Sequence, residues 1–202
     1  MKLRAAATED ALKIASLHAA SWRSAYRGIL RQDYLDGPID EERRSVWVAK
    51  LTQLGPQDHV TLLLEEAEQL VGFVSIVIGT DETWGSLIDN LHVAAGRKGR
   101  GCGRYLLEAA ARVLIERRQL RPLYLWVFEA NRAARRFYAR MGGAVVEKSA
   151  HLEPDGSAPL AVRYVWSSAK ALLDSAISGA QSAVSSTSGD ASAQRSGSDT
   201  GS

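Results

Sequence analysis

Apolar and polar positions alternate in short blocks along most of the chain. Leu3 to Ala7 reads as a strand. Thr8 stands where a helix N-cap belongs, and Ala11, Ile14, Ala15 and Leu17 follow at helical spacing. Trp22, Tyr26, Leu30, Tyr34 and Leu35 continue into a second helix or an ordered loop. Residues 40–54 predict a helix with Val46, Trp47 and Leu51 inward, ended by Gly55-Pro56. Three strands follow, at 59–65, 69–78 and 84–93. The polar turn Glu66-Ala67-Glu68 separates the first two, and together they predict an antiparallel meander. A glycine-rich loop then opens a long helix over residues 103–117. A strand at 123–128 and a helix at 131–141, stopped by Gly142-Gly143, come next. Strands at 144–149 and 160–166 flank the turn Glu153-Pro154-Asp155-Gly156 and close the pattern.

This order predicts an α/β fold. Its sheet is twisted, mixed but mostly antiparallel, with about seven strands and helices on both faces. The segment from Trp84 to Phe128 predicts a right-handed crossover between two parallel strands. The pattern fades after Trp166. Ala169, Leu172, Leu173, Ala176 and Ile177 still fall at helical spacing, which predicts a short helix over 168–178. Residues 179–202 are mostly Ser, Ala and Gly without an aromatic residue, and are expected to be a disordered tail. One domain over 1–178 is the expectation.

Composition narrows the picture. Of 202 residues, 46% are hydrophobic and five are Trp, which supplies a core and excludes a wholly disordered chain. A net charge of +2 argues against a nucleic-acid binder that relies on bulk positive charge. The single cysteine, Cys102, excludes an internal disulfide framework and a multi-cysteine zinc site, so no metal is expected. No apolar run approaches the ~18 residues that span a bilayer, and the first residues lack the pattern of a signal peptide. A cytoplasmic protein that engages neither membrane nor nucleic acid is expected, as a monomer or homodimer.

The candidate chemistry lies in two segments. In the first, a strand ending Asp89-Asn90-Leu91-His92-Val93 leads into Lys98-Gly99-Arg100-Gly101-Cys102-Gly103-Arg104 at a helix start. Backbone N–H groups at such a start, free of bulky side chains and ringed by Lys98, Arg100 and Arg104, suit a phosphate or pyrophosphate. The loop lacks the Gly-Lys-Ser/Thr of a Walker loop, and Arg104 stands where a dinucleotide fingerprint needs its third glycine. The second segment is Asn131-Arg132-Ala133-Ala134-Arg135-Arg136-Phe137-Tyr138-Ala139-Arg140-Met141-Gly142.

Together the two segments resemble the GNAT superfamily of acyl-CoA N-acyltransferases. The first is similar to that family's (Arg or Gln)-x-x-Gly-x-(Gly or Ala) motif, with Lys98 in the leading position. Lysine keeps the charge there but loses the planar fork. The second is similar to its Asn-x-x-Ala-x-x-Phe-Tyr-x-x-x-Gly pattern. The resemblance implies an N-acetyltransferase that carries an acetyl group from acetyl-CoA to an amine by direct attack in a ternary complex. It implies that two splayed parallel strands, here 87–93 and 123–128, form the cosubstrate cleft, with a bulge in the first. It assigns the main chain of Leu91, His92 and Val93, the loop Lys98, Gly99, Arg100, Gly101, Cys102, Gly103 and Arg104, and Asn131 to coenzyme A. Tyr138 matches the general acid that protonates the departing thiolate, and Asp89 the base that takes the amine proton. His92 competes with Asp89 for that role, and His18 and His151 are weaker candidates. Trp22 and Tyr26 fall in the region of the acceptor wall, Trp22 leaning towards the core and Tyr26 towards the pocket. A thiolate nucleophile at Cys102 is weighed against a small side chain packed inward, and the second is favoured. Arg132, Arg135, Arg136 and Arg140 read as a solvated helix face. A non-catalytic acyl-CoA-binding module of the same fold is the alternative.

Overall fold

A computed structural model describes residues 1–53, 55 and 57–188. Leu54 and Pro56, placed by sequence at the end of one helix, lie outside the described residues. The strands are β1 (Lys2–Ala5), β2 (His59–Glu66), β3 (Gln69–Asp81), β4 (Gly85–Val93), β5 (Leu123–Phe128), β6 (Ala144–Ala150) and β7 (Leu160–Trp166). The helices are α1 (Ala11–Ala25), α2 (Gln32–Asp36), α3 (Ile39–Gln53), α4 (Cys102–Glu116), α5 (Arg132–Arg140) and α6 (Ala169–Ser188). The strands form one sheet in the order β1-β2-β3-β4-β5-β7-β6. Only β4 and β5 run parallel; every other pair is antiparallel. The mixed sheet of seven strands expected from the pattern is the sheet observed.

Successive residues of the central strands are buried on opposite faces, as the two-residue period of a strand requires. Leu62, Leu64, Val74 and Ile76 meet Leu106, Leu107 and Leu114 of α4. Between them in sequence, Leu63 and Phe73 meet Ile14, Ala15 and Trp47 of α1 and α3. Helices on both faces are what make β2 and β3 apolar almost throughout.

Three local expectations change. The N-cap predicted at Thr8 gives way to a short 3-10 turn over Thr8–Asp10. Asp10 organises it, accepting the Ala7 N–H at 2.9 Å and both terminal nitrogens of Arg4 at 2.6 and 2.8 Å. In α3 the buried stripe is Ile39, Arg43 and Trp47, whereas Val46 faces outward with 37% exposure. Arg43 tolerates burial because it stacks 4.5 Å over the Trp22 ring and pairs with Glu42. The last helix runs to Ser188, well beyond the expected end at 178, so the first part of the expected tail is helical. Its packed half nucleates a helix that a proline-free sequence then propagates. Residues 189–202 lie outside the described residues.

The packed half of α6 lies against α4, with Ala169, Leu172 and Ala176 in the larger core. Leu172 is fully buried. Leu172→Ala is expected to cost about 2–5 kcal/mol, read as a lower urea midpoint at unchanged slope. A parental midpoint would remove α6 from the core that holds α4 in place.

Candidate active site

The site begins with a failure of pairing. Strands β4 and β5 pair only at Ser86–Leu123 and Leu87–Tyr124. Beyond those pairs the facing edges of Asp89–Val93 and Leu125–Phe128 open as a V. On its other edge β4 pairs Asn90 with Ser75 and Ile88 with Ile76, which leaves Asp89 as an extra, bulged residue. A bulge re-aims side chains and frees backbone groups, and here it does so at the point of the V.

At the mouth of the V lies α4. Gly101 is its N-cap at φ +81°, and no side chain caps this end. The first N–H groups of a helix have no acceptor within it, so they remain for a ligand. Gly99 also holds a positive φ, +77°, and at both glycines an added Cβ would meet nothing within 4 Å. The two residues therefore keep an open cradle in a conformation glycine adopts freely. Lys98 and Arg100 are exposed beside it and form no ion pair among the described residues, while Arg104 leans on Glu108 at 3.4 Å. The Cys102 side chain turns into the core with 2% exposure, its Sγ 3.9 Å from the Met1 Sδ, so only its backbone faces the cradle. Gly103 serves packing, since a Cβ there would press the Phe137 ring at 3.3 Å. These residues fit a pyrophosphate.

Asn131 is the N-cap of α5, its Oδ1 accepting the Ala134 N–H at 3.1 Å. Two turns further on, Tyr138 is buried at 9% exposure among Phe137, Tyr164 and Trp166. No hydrogen bond engages its hydroxyl among the described residues. Burial first, and the Tyr26 phenol second, push that hydroxyl above the ordinary tyrosine range. It stays protonated at neutral pH.

On the α1 and α3 side, the V opens into a cavity of about 290 Å³. Asp89 lines it, paired with Lys50 of α3. Lys50 and the Asn90 amide both donate to Asp89 Oδ2, which leaves Oδ1 open. Trp22 and Tyr26 line the same space, their rings 5.3 Å apart, and Trp22 belongs to the core as well. Burial, then the Glu153 carboxylate, push the Tyr26 hydroxyl up to about 12.

His92 points away from the cradle. Its Nδ1 lies 2.8 Å from the Ser21 Oγ, and its ring stacks 4.4 Å from that of His18. Burial, then the Lys98 and Arg43 charges, push it down to about 3, so it is neutral and too weak a base to hold a proton near pH 7. His18 accepts the Trp47 indole N–H at Nδ1, 2.9 Å away, so in the neutral ring Nε2 carries the proton. Burial, then His92, keep it neutral. His151 stacks 4.3 Å from Trp126 on the cavity wall. The arginines of α5 at 132, 136 and 140 are exposed, and Arg135 donates to the Glu129 carbonyl at 3.2 Å.

Three charged cavity residues escaped the sequence reading. Arg43 and Lys50 sit on a helix whose inward stripe was drawn through apolar positions. Glu153 was taken only as the first residue of a turn. A cation at a core-facing position of α3 was the available signal for Arg43.

Residues 17–143 match the sequence profile described as the Acetyltransferase (GNAT) family. The chain belongs to the GNAT acetyltransferase family. Among relatives, a Bacillus subtilis (strain 168) protein named "Uncharacterized N-acetyltransferase YuaI" is 27% identical over 131 residues, 64% of this chain and 72% of that one. Among solved structures, the PaiA N-acetyltransferase from Thermoplasma acidophilum in complex with coenzyme A is similar over 82% of this chain and 98% of its own. Its TM-score is 0.62 and its identity 20%. A GNAT-family acetyltransferase from Streptococcus pneumoniae covers 82% of this chain and 97% of its own at a TM-score of 0.58 and 20% identity. The GNAT match spans α1 to α5, and so includes the V, the cradle and Tyr138.

Proposed function

We propose that this GNAT protein is an acetyl-CoA-dependent N-acetyltransferase that transfers an acetyl group to a primary amine by direct attack in a ternary complex. The observation that carries the reading is the bulge at Asp89 in the V, with an uncapped glycine cradle at one end and an amine-sized cavity at the other. Leu91 to Val93 pair with β3 on one edge and leave the edge towards β5 unpaired, where main chain would hold the pantetheine arm as a pseudo-strand. The N–H groups from Gly99 to Arg104, with Lys98, would hold the pyrophosphate. The Asn131 amide nitrogen, left over when Oδ1 caps α5, would meet the arm at its middle.

The acceptor enters by the cavity, past Tyr26 and Trp22. Asp89 takes a proton from its ammonium through water at Oδ1, the oxygen that Lys50 and Asn90 leave open. The freed nitrogen attacks the thioester carbonyl to give a tetrahedral intermediate, which loses its second nitrogen proton to water. The carbon–sulfur bond breaks as Tyr138 gives its proton to the departing thiolate, and the phenolate regains a proton from solvent.

Acetyl-CoA turnover against a panel of primary amines tests the assignment. Asp89→Asn is expected to lose most activity at neutral pH and to regain it at high pH, where the acceptor is already a free amine. A parental pH profile in that variant would take the base role from Asp89. A parent that neither binds nor turns over acetyl-CoA would remove the enzymatic reading.

A further inference from the structure

Four charged side chains line the cavity: Arg43, Lys50, Asp89 and Glu153. Three of them are matched. Lys50 and Asp89 pair with each other, and Arg43 pairs with Glu42. Glu153, half-buried on the loop between β6 and β7, has neither an ion pair nor a side-chain hydrogen bond among the described residues. Burial first, and Asp155 second, push its carboxyl up, against the opposing charge of Arg43. Its surroundings therefore under-compensate a negative charge.

The loop fixes the Glu153 backbone. The Glu153 N–H donates to the Ser157 carbonyl at 2.9 Å, and the Gly156 N–H to the Glu153 carbonyl at 2.9 Å. Asp155 accepts the Ser157 N–H at 2.9 Å and reaches across to accept the Arg31 N–H, beyond α1, at 2.7 Å. Facing it are two pairs of rings, Tyr26 with Phe128 at 4.8 Å and Trp126 with His151 at 4.3 Å. Ring faces attract cations and flat apolar groups. The charge on Glu153 acts on Tyr26, and the Tyr26 phenol in turn on Tyr138. Glu153 lines the same cavity as Asp89, Tyr26 and Trp22. A volume of about 290 Å³ stands at the lower end for small-molecule sites.

We propose that Glu153 selects the acceptor: its carboxylate docks the ammonium of a small amine that has a flat apolar body and no acidic group of its own. The inference rests on the acetyltransferase reading above and adds the substrate class. An acceptor with a carboxylate beside its amine sets a second negative charge against Glu153 and is disfavoured.

Phenethylamine and L-phenylalanine share a body and differ by that carboxylate, so they are the probes. The parent is expected to prefer phenethylamine in kcat/KM by about tenfold or more, the usual scale of a hydrogen bond to a charged group. Glu153→Gln is expected to raise the phenethylamine KM by about tenfold or more, with the loss falling on KM rather than kcat. The preference over phenylalanine should then collapse towards one, while acetyl-CoA affinity stays parental. A loop that merely folds badly would weaken both probes alike and leave the ratio standing. An unchanged ratio in Glu153→Gln, or a parent that favours phenylalanine, overturns the proposal. So does a parent that binds acetyl-CoA by calorimetry yet neither binds nor acetylates either probe. Failure to bind acetyl-CoA marks instead the failure of the acetyltransferase reading.

Discussion

Gly101→Glu is expected to lower coenzyme A affinity by about three orders of magnitude. Gly101 is the left-handed N-cap of α4, and the space around its missing side chain is open. A Cβ there meets nothing within 4 Å, so a glutamate has room to bring its carboxylate to the cradle where a pyrophosphate would lie. Two unit charges about 4 Å apart near a protein surface repel by ~4 kcal/mol, which sets the scale. The positive φ adds a separate cost of about 1–2 kcal/mol to folding for a residue with a Cβ. Gly101→Asn separates the two effects. Asparagine tolerates this conformation and brings no charge, so it should keep most of the affinity. Calorimetric titration with coenzyme A, beside a melting curve for each variant, reads both. Parental affinity in Gly101→Glu would show that the pyrophosphate lies elsewhere.

The glycine loop was legible in the sequence because its composition and its backbone conformation coincide. Gly99 and Gly101 adopt the positive φ that makes glycine informative, and the strand before and helix after followed from their periods. The meander of β2 to β4 and the parallel pair of β4 and β5 followed from the pattern as well, whereas the insertion of β7 between β5 and β6 did not. Asp89 was visible as an odd residue in an apolar strand. Its bulge rests on the register of β4 against β3, which no local pattern specifies. The two histidines show the same limit. His18 and His92 are kept neutral first by burial and both feel the Arg43 charge, in a pocket shared with Trp47 and Ser21, residues far apart in sequence. Glu153 was hidden by its own turn. The signals that make 153–156 a turn say nothing of the cavity beneath it, because that cavity forms only when α1, α3, β5 and the loop meet.

Tyr138→Phe is expected to lower turnover by about 100-fold, with acetyl-CoA affinity and stability close to parental. Phenylalanine keeps the ring among Phe137, Tyr164 and Trp166 and removes only the hydroxyl. That hydroxyl has no hydrogen-bond partner among the described residues, so its loss leaves no orphaned group there and the melting temperature should hold or rise slightly. The effect then belongs to the transition state, and appears in kcat and kcat/KM together. General acids contribute ~10²–10⁴-fold, and the lower figure applies here. A phenol held above its ordinary value near 10 is a weaker acid than a thiol, reference value about 8.5, so its proton moves uphill to the thiolate and solvent competes. The raised value also fixes the sign of the pH dependence. A group whose pKa is raised keeps its proton to higher pH, so the parent should show no loss of activity from Tyr138 below about pH 10. Single-turnover rates against pH for the parent and Tyr138→Phe supply the measurement. If the two profiles superimpose, Tyr138 is a core residue and water protonates the thiolate. If Tyr138→Phe falls by the expected factor across the range with acetyl-CoA affinity intact, the phenol is the acid.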